Sequence, residues 1–413
     1  MCPLLLGCNL NKEGFLMGKI FTADNPSKIY LEALLTAKAQ GKVVAPRGKR
    51  VKEIRPVIVE FTNPYNRTTF LKGRKINPFF QLAEALWILR GRADVEWLTK
   101  FNANMAQFSD DGVYFNAPYG ERLRFFNQNS YKGFVFNPHD QLYDVFQKLS
   151  KDKDTRQAVA SIWNPLFDNV SYEGKDFPCN MLLDFKIRDN KLELVVFNRS
   201  NDIHWGTWGA NLCQFSTIQE VMASWLGIEC GMYAQITNSL HVYLDDYGAQ
   251  ITDDIIKAYG VNADLLEKGI VPIGLIEKAD FETSKLMFKN EPRITLGKED
   301  FDMFLDEYFY NVDPILMDDK VYESNEAVTG LIEMVNNAPD DYFRMTLLAM
   351  VAYRSHKLKN RVGVIEALKL MADSQWKLSC LYFLYNSYKE DKDYLELFSH
   401  FSEEQKDYIK GEM

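Results

Sequence analysis

Apolar positions along the chain recur with two periods, and each period points to an element. Over residues 26–40, Ile29, Leu31, Leu34 and Leu35 form a helical stripe, opened by Asn25 as a cap with Pro26 at the first helical position and closed by Gly41. Residues 78–89 (PFFQLAEALWIL) are apolar except for Gln81 and Glu84, which predicts a buried helix carrying a carboxyl into the core. Residues 212–226 repeat the helical spacing through Leu212, Phe215, Ile218, Val221, Met222 and Trp225. Alternation takes over in 180–200, where Phe185 and Ile187 precede a turn at Asp189 and Asn190, and Leu192, Leu194 and Val196 follow it; this predicts a β-hairpin. Residues 54–61 and 155–163 read as further strands, 141–150 as a short helix, and 45–52 and 115–124 as loops. Beyond about residue 290 the texture becomes acidic and aromatic, with helical stretches near 342–356, 362–371 and 375–388. The pattern divides the chain into a mixed α/β unit over 20–290 and an all-helical extension over 291–413.

Composition narrows the function classes. Of 413 residues, 46% are hydrophobic and 25% charged, the balance of a folded protein and not of a disordered chain. With 48 Lys+Arg against 57 Asp+Glu the net charge is −9, so a general nucleic-acid binder would have to hide a basic patch; only the loop at 47–52 is locally basic, and duplex DNA is not the expected ligand. No apolar run reaches the roughly 18 to 20 residues of a membrane span, and the start MCPLLLGCNL lacks the basic flank and the length of a secretory leader. A soluble cytoplasmic protein is expected. The cysteines Cys2, Cys8, Cys179, Cys213, Cys230 and Cys380 lie far apart with no CxxC, as free thiols in a reducing compartment do, and one of them is open to chemistry. Five histidines with no HExxH and no His/Cys cluster offer no metal site.

The most informative run is 176–247. It holds FPCN around Cys179, FNRSND with Arg199, Ser200 and Asp202, the Gly- and Trp-rich HWGTWGAN ending at Asn211, and LHVY with His241 and Tyr243. Each piece alone has a bland reading: a packed thiol, a solvated strand-end charge, a helix cap, two core residues. Together they resemble the thymidylate synthase family, whose signature is a Pro-Cys nucleophile, an Arg-Ser-x-Asp after a hairpin, an Asn opening a helix, and His-x-Tyr. The steps from Cys179 to Arg199 and from Asn211 to His241 match that pattern. Between Arg199 and Asn211 the chain carries one extra residue, so the assignment of Asn211 rests on an insertion in the loop at 205–210. Upstream the resemblance runs through APRGKR (Arg47), AEALW (Glu84), APYGERLR (Tyr119) and DTRQ followed by IWNP (Arg156), and it covers residues 25–250.

The resemblance implies a three-layer α/β fold with a bent mixed sheet that forms a homodimer interface. It implies Arg47, Arg199 and Ser200 on the phosphate of a nucleoside monophosphate, with Arg156 reaching in from the partner. Where the family usually has two adjacent arginines this chain has Arg156-Gln157, so one phosphate contact is weakened or replaced. Asp202 resembles the residue that holds the pterin of 5,10-methylenetetrahydrofolate.

The chemistry of the residues agrees. C5 of uracil is a poor nucleophile, so one-carbon transfer there needs a thiolate to add at C6 and leave an enolate at C5. Cys179 is the candidate thiolate, and a neighbouring guanidinium such as Arg199 favours that form. Planar guanidinium groups suit a phosphate dianion. The Asn211 carboxamide offers one donor and one acceptor, which suits O4 and N3–H of uracil and argues for dUMP. His241 and Tyr243, two apart on an extended segment, share a side and suit a sugar hydroxyl. Glu84 on its apolar helix should have a raised pKa and shuttle protons to O4, and Tyr119 could help remove the C5 proton.

The fate of the exocyclic methylene defines the product: hydride gives thymidylate, water gives the hydroxymethyl nucleotide. Synthases resembling this chain carry a Trp about a dozen residues before the position of Tyr119 and a C-terminal tail that excludes water. Residues 101–112 contain no Trp, and the chain ends in KDYIKGEM after a helical extension. The expectation is a dUMP hydroxymethyltransferase, with a thymidylate synthase and a non-catalytic nucleotide-binding scaffold of the same fold as alternatives.

Overall fold

In the computed structural model, residues 18–126, 139–169 and 174–412 are described, so Cys2, Cys8 and the apolar N-terminal stretch lie outside the described residues. The strands in chain order are β1 (Lys19–Ala23), β2 (Lys42–Val44), β3 (Val51–Ile54), β4 (Val57–Phe61), β5 (Val159–Ser161), β6 (Asn180–Arg188), β7 (Lys191–Asn198), β8 (Asn201–Asp202), β9 (Glu229–Thr237) and β10 (Leu240–Tyr243). They form a six-stranded mixed sheet, β1-β4-β9-β7-β6-β5, and a four-stranded sheet, β2-β3-β10-β8. β6 and β7 are the predicted hairpin. Asp189 (φ 49°) and Asn190 (φ 57°) both take the left-handed conformation that a two-residue turn requires at its centre.

The helices that position the site are α1 (Pro26–Gln40), α2 (Pro78–Arg90) and α3 (Leu212–Leu226). α3 is buried on nearly every side, as its all-round apolar sequence dictates, and packs on β7 and β9. Leu192, Leu194, Val196 and Tyr233 face it from the sheet, fully buried, and each such side chain contributes about 2 kcal/mol relative to exposure. α2 crosses α3, and the C-terminal helices α4 (Asp341–Lys357) and α5 (Gln375–Tyr388) cover α2. Sheet, central helices and outer helices make the three layers.

The C-terminal helices share this core through polar ties as well. The Thr217 and Tyr342 hydroxyls meet at 3.0 Å, Thr68 Oγ1 donates to Gln375 Oε1 at 2.8 Å, and Glu220 pairs with both Arg67 and Arg293. Among the described residues no helix is long and apolar enough to cross a membrane.

Four expectations change. The strand read at 54–61 is two strands in different sheets, because Pro56 has no N–H to donate and confines Arg55; the loop read at 45–52 yields its last two residues to β3. The strand read at 155–163 shrinks to Val159–Ser161. The loop read at 115–124 contains a helical turn, Tyr119–Arg124, seated on α2 where any Cβ at Gly120 would strike the Ile88 backbone.

The other face of the large sheet turns away from α3. There Ile20, Ile58, Ile236, Phe197 and Leu182 stand in register as one row across five strands, Ile20 mostly exposed and the rest half-buried.

Candidate active site

The hairpin register builds the corner that carries Cys179. Beyond a bulge at Asn180/Leu182 the β6–β7 pairing ends with the Arg199 N–H donating to the Cys179 carbonyl at 2.9 Å, which puts residues twenty apart in sequence side by side. Arg199 Nη2 lies 3.8 Å and Ser200 Oγ 3.7 Å from Cys179 Sγ. The same guanidinium holds the strand approach rigid, through Nε to the Pro178 carbonyl at 2.9 Å and Nη2 to the Phe177 carbonyl at 3.3 Å. Arg47, exposed and at φ 51°, sits with its guanidinium 5.7 Å from the centre of the Phe177 ring, so the basic loop does reach this corner.

Cys179 is half-buried, whereas the other described thiols, Cys213, Cys230 and Cys380, are buried. Burial pushes Cys213 and Cys230 up to about 12, which keeps them protonated and inert.

Tyr119, first residue of its helical turn, accepts from the Cys179 backbone N–H and stacks on Phe215 at 6.1 Å. Burial, helped by the negative charge that Cys179 and Asp176 can carry, raises its hydroxyl well above the ordinary phenol value, so it stays protonated and acts as a donor. Asp176 ties this turn to the segment that leads to Cys179, accepting from the Ala117 N–H at 2.7 Å. Glu84 reaches the same region from α2. Burial pushes its carboxyl up to about 7, a hydrogen bond from Gln214 offsets part of that, and its Oε2 has no partner among the described residues. A carboxyl titrating there with an orphaned oxygen can exchange a proton with a ligand or water.

Asp202 caps the next segment, its Oδ1 accepting from the Trp205 N–H at 2.5 Å while its buried Oδ2 has no partner among the described residues. Burial raises this carboxyl above the usual carboxylate range, with His241 and two backbone N–H groups pulling the other way. His241 lies opposite Asp202 in the parallel β8–β10 pairing, and its ring packs edge-on to Tyr243 at 5.4 Å.

The stretch at 203–211, read as a loop, is a π-helical turn that runs directly into α3. A π turn takes about one more residue per turn than an α-helix. Trp208 stacks on Tyr30 at 4.9 Å, and His204, neutral and buried, bridges Tyr30 Oη and Thr252 Oγ1 at 2.7 Å each. Asn211 makes no capping bond with its side chain. Its Nδ2 donates instead to Asn201 Oδ1 at 3.2 Å.

Arg156 is exposed ahead of edge strand β5, and among the described contacts none ties it to Cys179, Arg47 or Arg199. Gln214, Asp176, Asn201 and Gln235 have no counterpart in the sequence reading. Gln214 and Gln235 are polar residues between apolar neighbours, whereas Asp176 and Asn201 have polar residues beside them.

A half-exposed thiol held by a guanidinium and a hydroxyl, with a buried proton-exchanging carboxyl nearby, is thus built on a sheet-and-helix frame whose residues 28–265 match the family described as Thymidylate synthase. The chain belongs to that family. It is similar to the deoxyuridylate hydroxymethyltransferase of Bacillus phage SP01, 54% identical over 371 residues that cover 90% of this chain and 94% of the relative. That span is too long to exclude the helical extension. The deoxyuridylate hydroxymethyltransferase of Pseudomonas phage M6 is 39% identical over 46% of this chain and 51% of its own length. That of Delftia phage PhiW-14 is 32% identical over 51% and 58%.

Proposed function

We propose that this protein transfers a one-carbon unit to C5 of dUMP and releases 5-hydroxymethyl-dUMP. The observation that carries the chemistry is the Cys179 sulfur flanked by Arg199 and Ser200. The thiolate adds at C6 of the ring, and the electron pair moves to O4, where Glu84 can deliver a proton through water. Arg199, Ser200 and Arg47 bind the 5′-phosphate, and no described contact engages Arg199 Nη1, so it remains for that anion. Asn211 pairs with the base edge, and His241 and Tyr243 take the sugar hydroxyl. The C5 proton passes to a water molecule that the Tyr119 hydroxyl orients.

Methylenetetrahydrofolate, when bound, supplies a carbon at the oxidation level of formaldehyde. Asp202 fits it: a buried carboxylate oxygen without a partner suits the N–H donors of a pterin.

The hydroxymethyl product is supported by the names of the similar phage enzymes and by the segment 101–112, which presents Phe108 and a short 3₁₀ turn where a water-excluding Trp would be expected. The last helix, Glu403–Lys410, is held in an aromatic cluster, with Tyr408 against Phe70 at 5.1 Å and Tyr382 at 4.6 Å.

The apolar row across the large sheet supports a homodimer in which the partner subunit's Arg156 completes each phosphate site, since such a face is ordinarily covered. Among the described residues no helix is long and apolar enough to cross a membrane, and we place the enzyme in the cytoplasm.

The test is product analysis by mass spectrometry. Incubation with dUMP and methylenetetrahydrofolate should yield 5-hydroxymethyl-dUMP and tetrahydrofolate; dTMP and dihydrofolate as the only products would overturn the assignment. 5-Fluoro-dUMP with the folate should trap an adduct on Cys179 that Cys179→Ser abolishes. An intact protein that binds dUMP and forms no adduct is a scaffold.

A further inference from the structure

Asn211 is the end of a relay of buried amides. Its Nδ2 donates to Asn201 Oδ1 at 3.2 Å, Asn201 Nδ2 donates to Gln235 Oε1 at 2.6 Å, and Gln235 Nε2 donates to the Thr207 carbonyl at 3.3 Å. Asn211, Asn201 and Gln235 are 4%, 1% and 0% exposed, so water does not compete for these bonds. A backbone carbonyl can only accept. Thr207 therefore fixes which end of Gln235 is the amine, Gln235 fixes Asn201, and Asn201 fixes Asn211. Gly206 makes the room, since a Cβ there would overlap the Asn201 side-chain oxygen. The backbone is anchored at both ends, with the Asn201 N–H donating to the Ser239 carbonyl at 2.7 Å and the Tyr233 hydroxyl to the Asn211 carbonyl at 3.2 Å.

The direction of this relay has a chemical consequence. A half-turn of a carboxamide exchanges its donor and acceptor with almost no change of shape. Uracil presents an acceptor at O4 and a donor at N3–H, whereas cytosine presents a donor at N4 and an acceptor at N3. The two orientations of one asparagine therefore read the two bases. Resting on the assignment of Asn211 to the base edge, we propose that Asn201 and Gln235 are specificity-determining positioning residues, which lock the Asn211 amide in the orientation that pairs with uracil and rejects cytosine. In the flipped orientation Asn211 Oδ1 would face Asn201 Oδ1, two acceptors in a dry site, and that state is disfavoured by about 10-fold to 100-fold.

The test is equilibrium competition of dUMP and dCMP for the full chain, which reads base choice without depending on the product. Wild-type protein should prefer dUMP. Asn201→Ala should lower the dUMP/dCMP preference by about 10-fold or more. Asn201→Asp, whose carboxyl still accepts from Asn211, should retain it. Gln235→Met keeps the volume but removes the source of polarity, and should fall between. A merely structural role would weaken both nucleotides alike and leave the ratio unchanged. An unchanged ratio in Asn201→Ala and Gln235→Met, both with native near-UV circular dichroism, overturns the proposal, and if Asn201→Ala does not fold, Gln235→Met decides. Wild-type protein that binds neither nucleotide overturns the base-pocket assignment itself, a different failure from a wild-type preference that survives in both variants.

Discussion

Cys179 Sγ and Arg199 Nη2 stand 3.8 Å apart at the open end of a hairpin whose tip is Asp189-Asn190, and the same guanidinium bonds two carbonyls of the strand that carries the thiol. Charge and rigidity are thus supplied by one side chain. Lysine in its place keeps the charge but cannot reach the sulfur and both carbonyls from a planar fork. Arg199→Lys should slow adduct formation between 5-fluoro-dUMP and Cys179 by about 100-fold, read as a time course by intact-protein mass spectrometry. A rate equal to wild type would show that the guanidinium is dispensable.

Glu84 gives the site a pH dependence of stated sign. Its carboxyl titrates at about 7 because it is buried without a counter-charge. Protonation of O4 as the thiolate adds at C6 requires the acid form, which is present below that value and lost as pH rises through it. The dUMP-dependent exchange of C5 tritium with water should therefore decline on the alkaline side with an apparent pKa near 7. Glu84→Gln should remove that limb and cut the rate by roughly 10²- to 10⁴-fold. An alkaline limb that persists unchanged in Glu84→Gln would assign it to another group.

These sites differ in how far the sequence discloses them. α1, α2 and α3 are legible because their apolar residues are periodic and their ends carry local signals: Asn25 accepts from the Ser27 N–H, Asn77 from that of Phe80, and Gly91 and Gly227 take left-handed caps. The hairpin is legible because two residues that tolerate positive φ separate two alternating runs. The π turn is not, since its shape depends on Tyr30 and Thr252, far away in sequence, gripping His204 and Trp208. Gln235 looks like an interruption of an apolar strand, and Asn201 like one more polar residue of FNRSND, until the β7–β9 and β8–β10 pairings bring the elements together. Nor does composition reveal that Gln375 bonds Thr68, more than three hundred residues away.

The start of α5, whose Gln375 bonds Thr68 of the catalytic layers, carries a titrating group of its own. Glu291, buried where it accepts from the Gln375 N–H at 3.0 Å, has its carboxyl pushed up to about 8 by burial, above an unfolded value near 4.5. Between those values the folded chain binds more protons than the unfolded one, so this residue's contribution favours folding at low pH and is lost as pH rises toward 8. Glu291→Gln, which cannot ionise, should be close to wild type in stability near pH 5 and more stable by a few kcal/mol near pH 8. Urea unfolding at the two pH values measures the difference, and an equal effect at both would refute it.

The apolar row and Arg156 together make a claim that neither makes alone. Ile58, Ile236, Phe197 and Leu182 are half-buried in register on the face of the sheet away from α3, and Arg156 is exposed before the edge strand of the same sheet. If two copies close over that face, each active site needs the thiol of one and the arginine of the other, so Cys179→Ser and Arg156→Ala are defects in different subunits of the same site. Either variant alone should be nearly inactive. Unfolding an equimolar mixture and refolding it should produce mixed dimers with one intact site each, and recover about one quarter of the wild-type activity by random pairing. Phe197→Asp, which places a charge in the row, should give monomers by sedimentation and abolish the recovery when introduced into either partner. Activity that never returns on mixing, with dimers present, would show that Arg156 does not serve the partner's site.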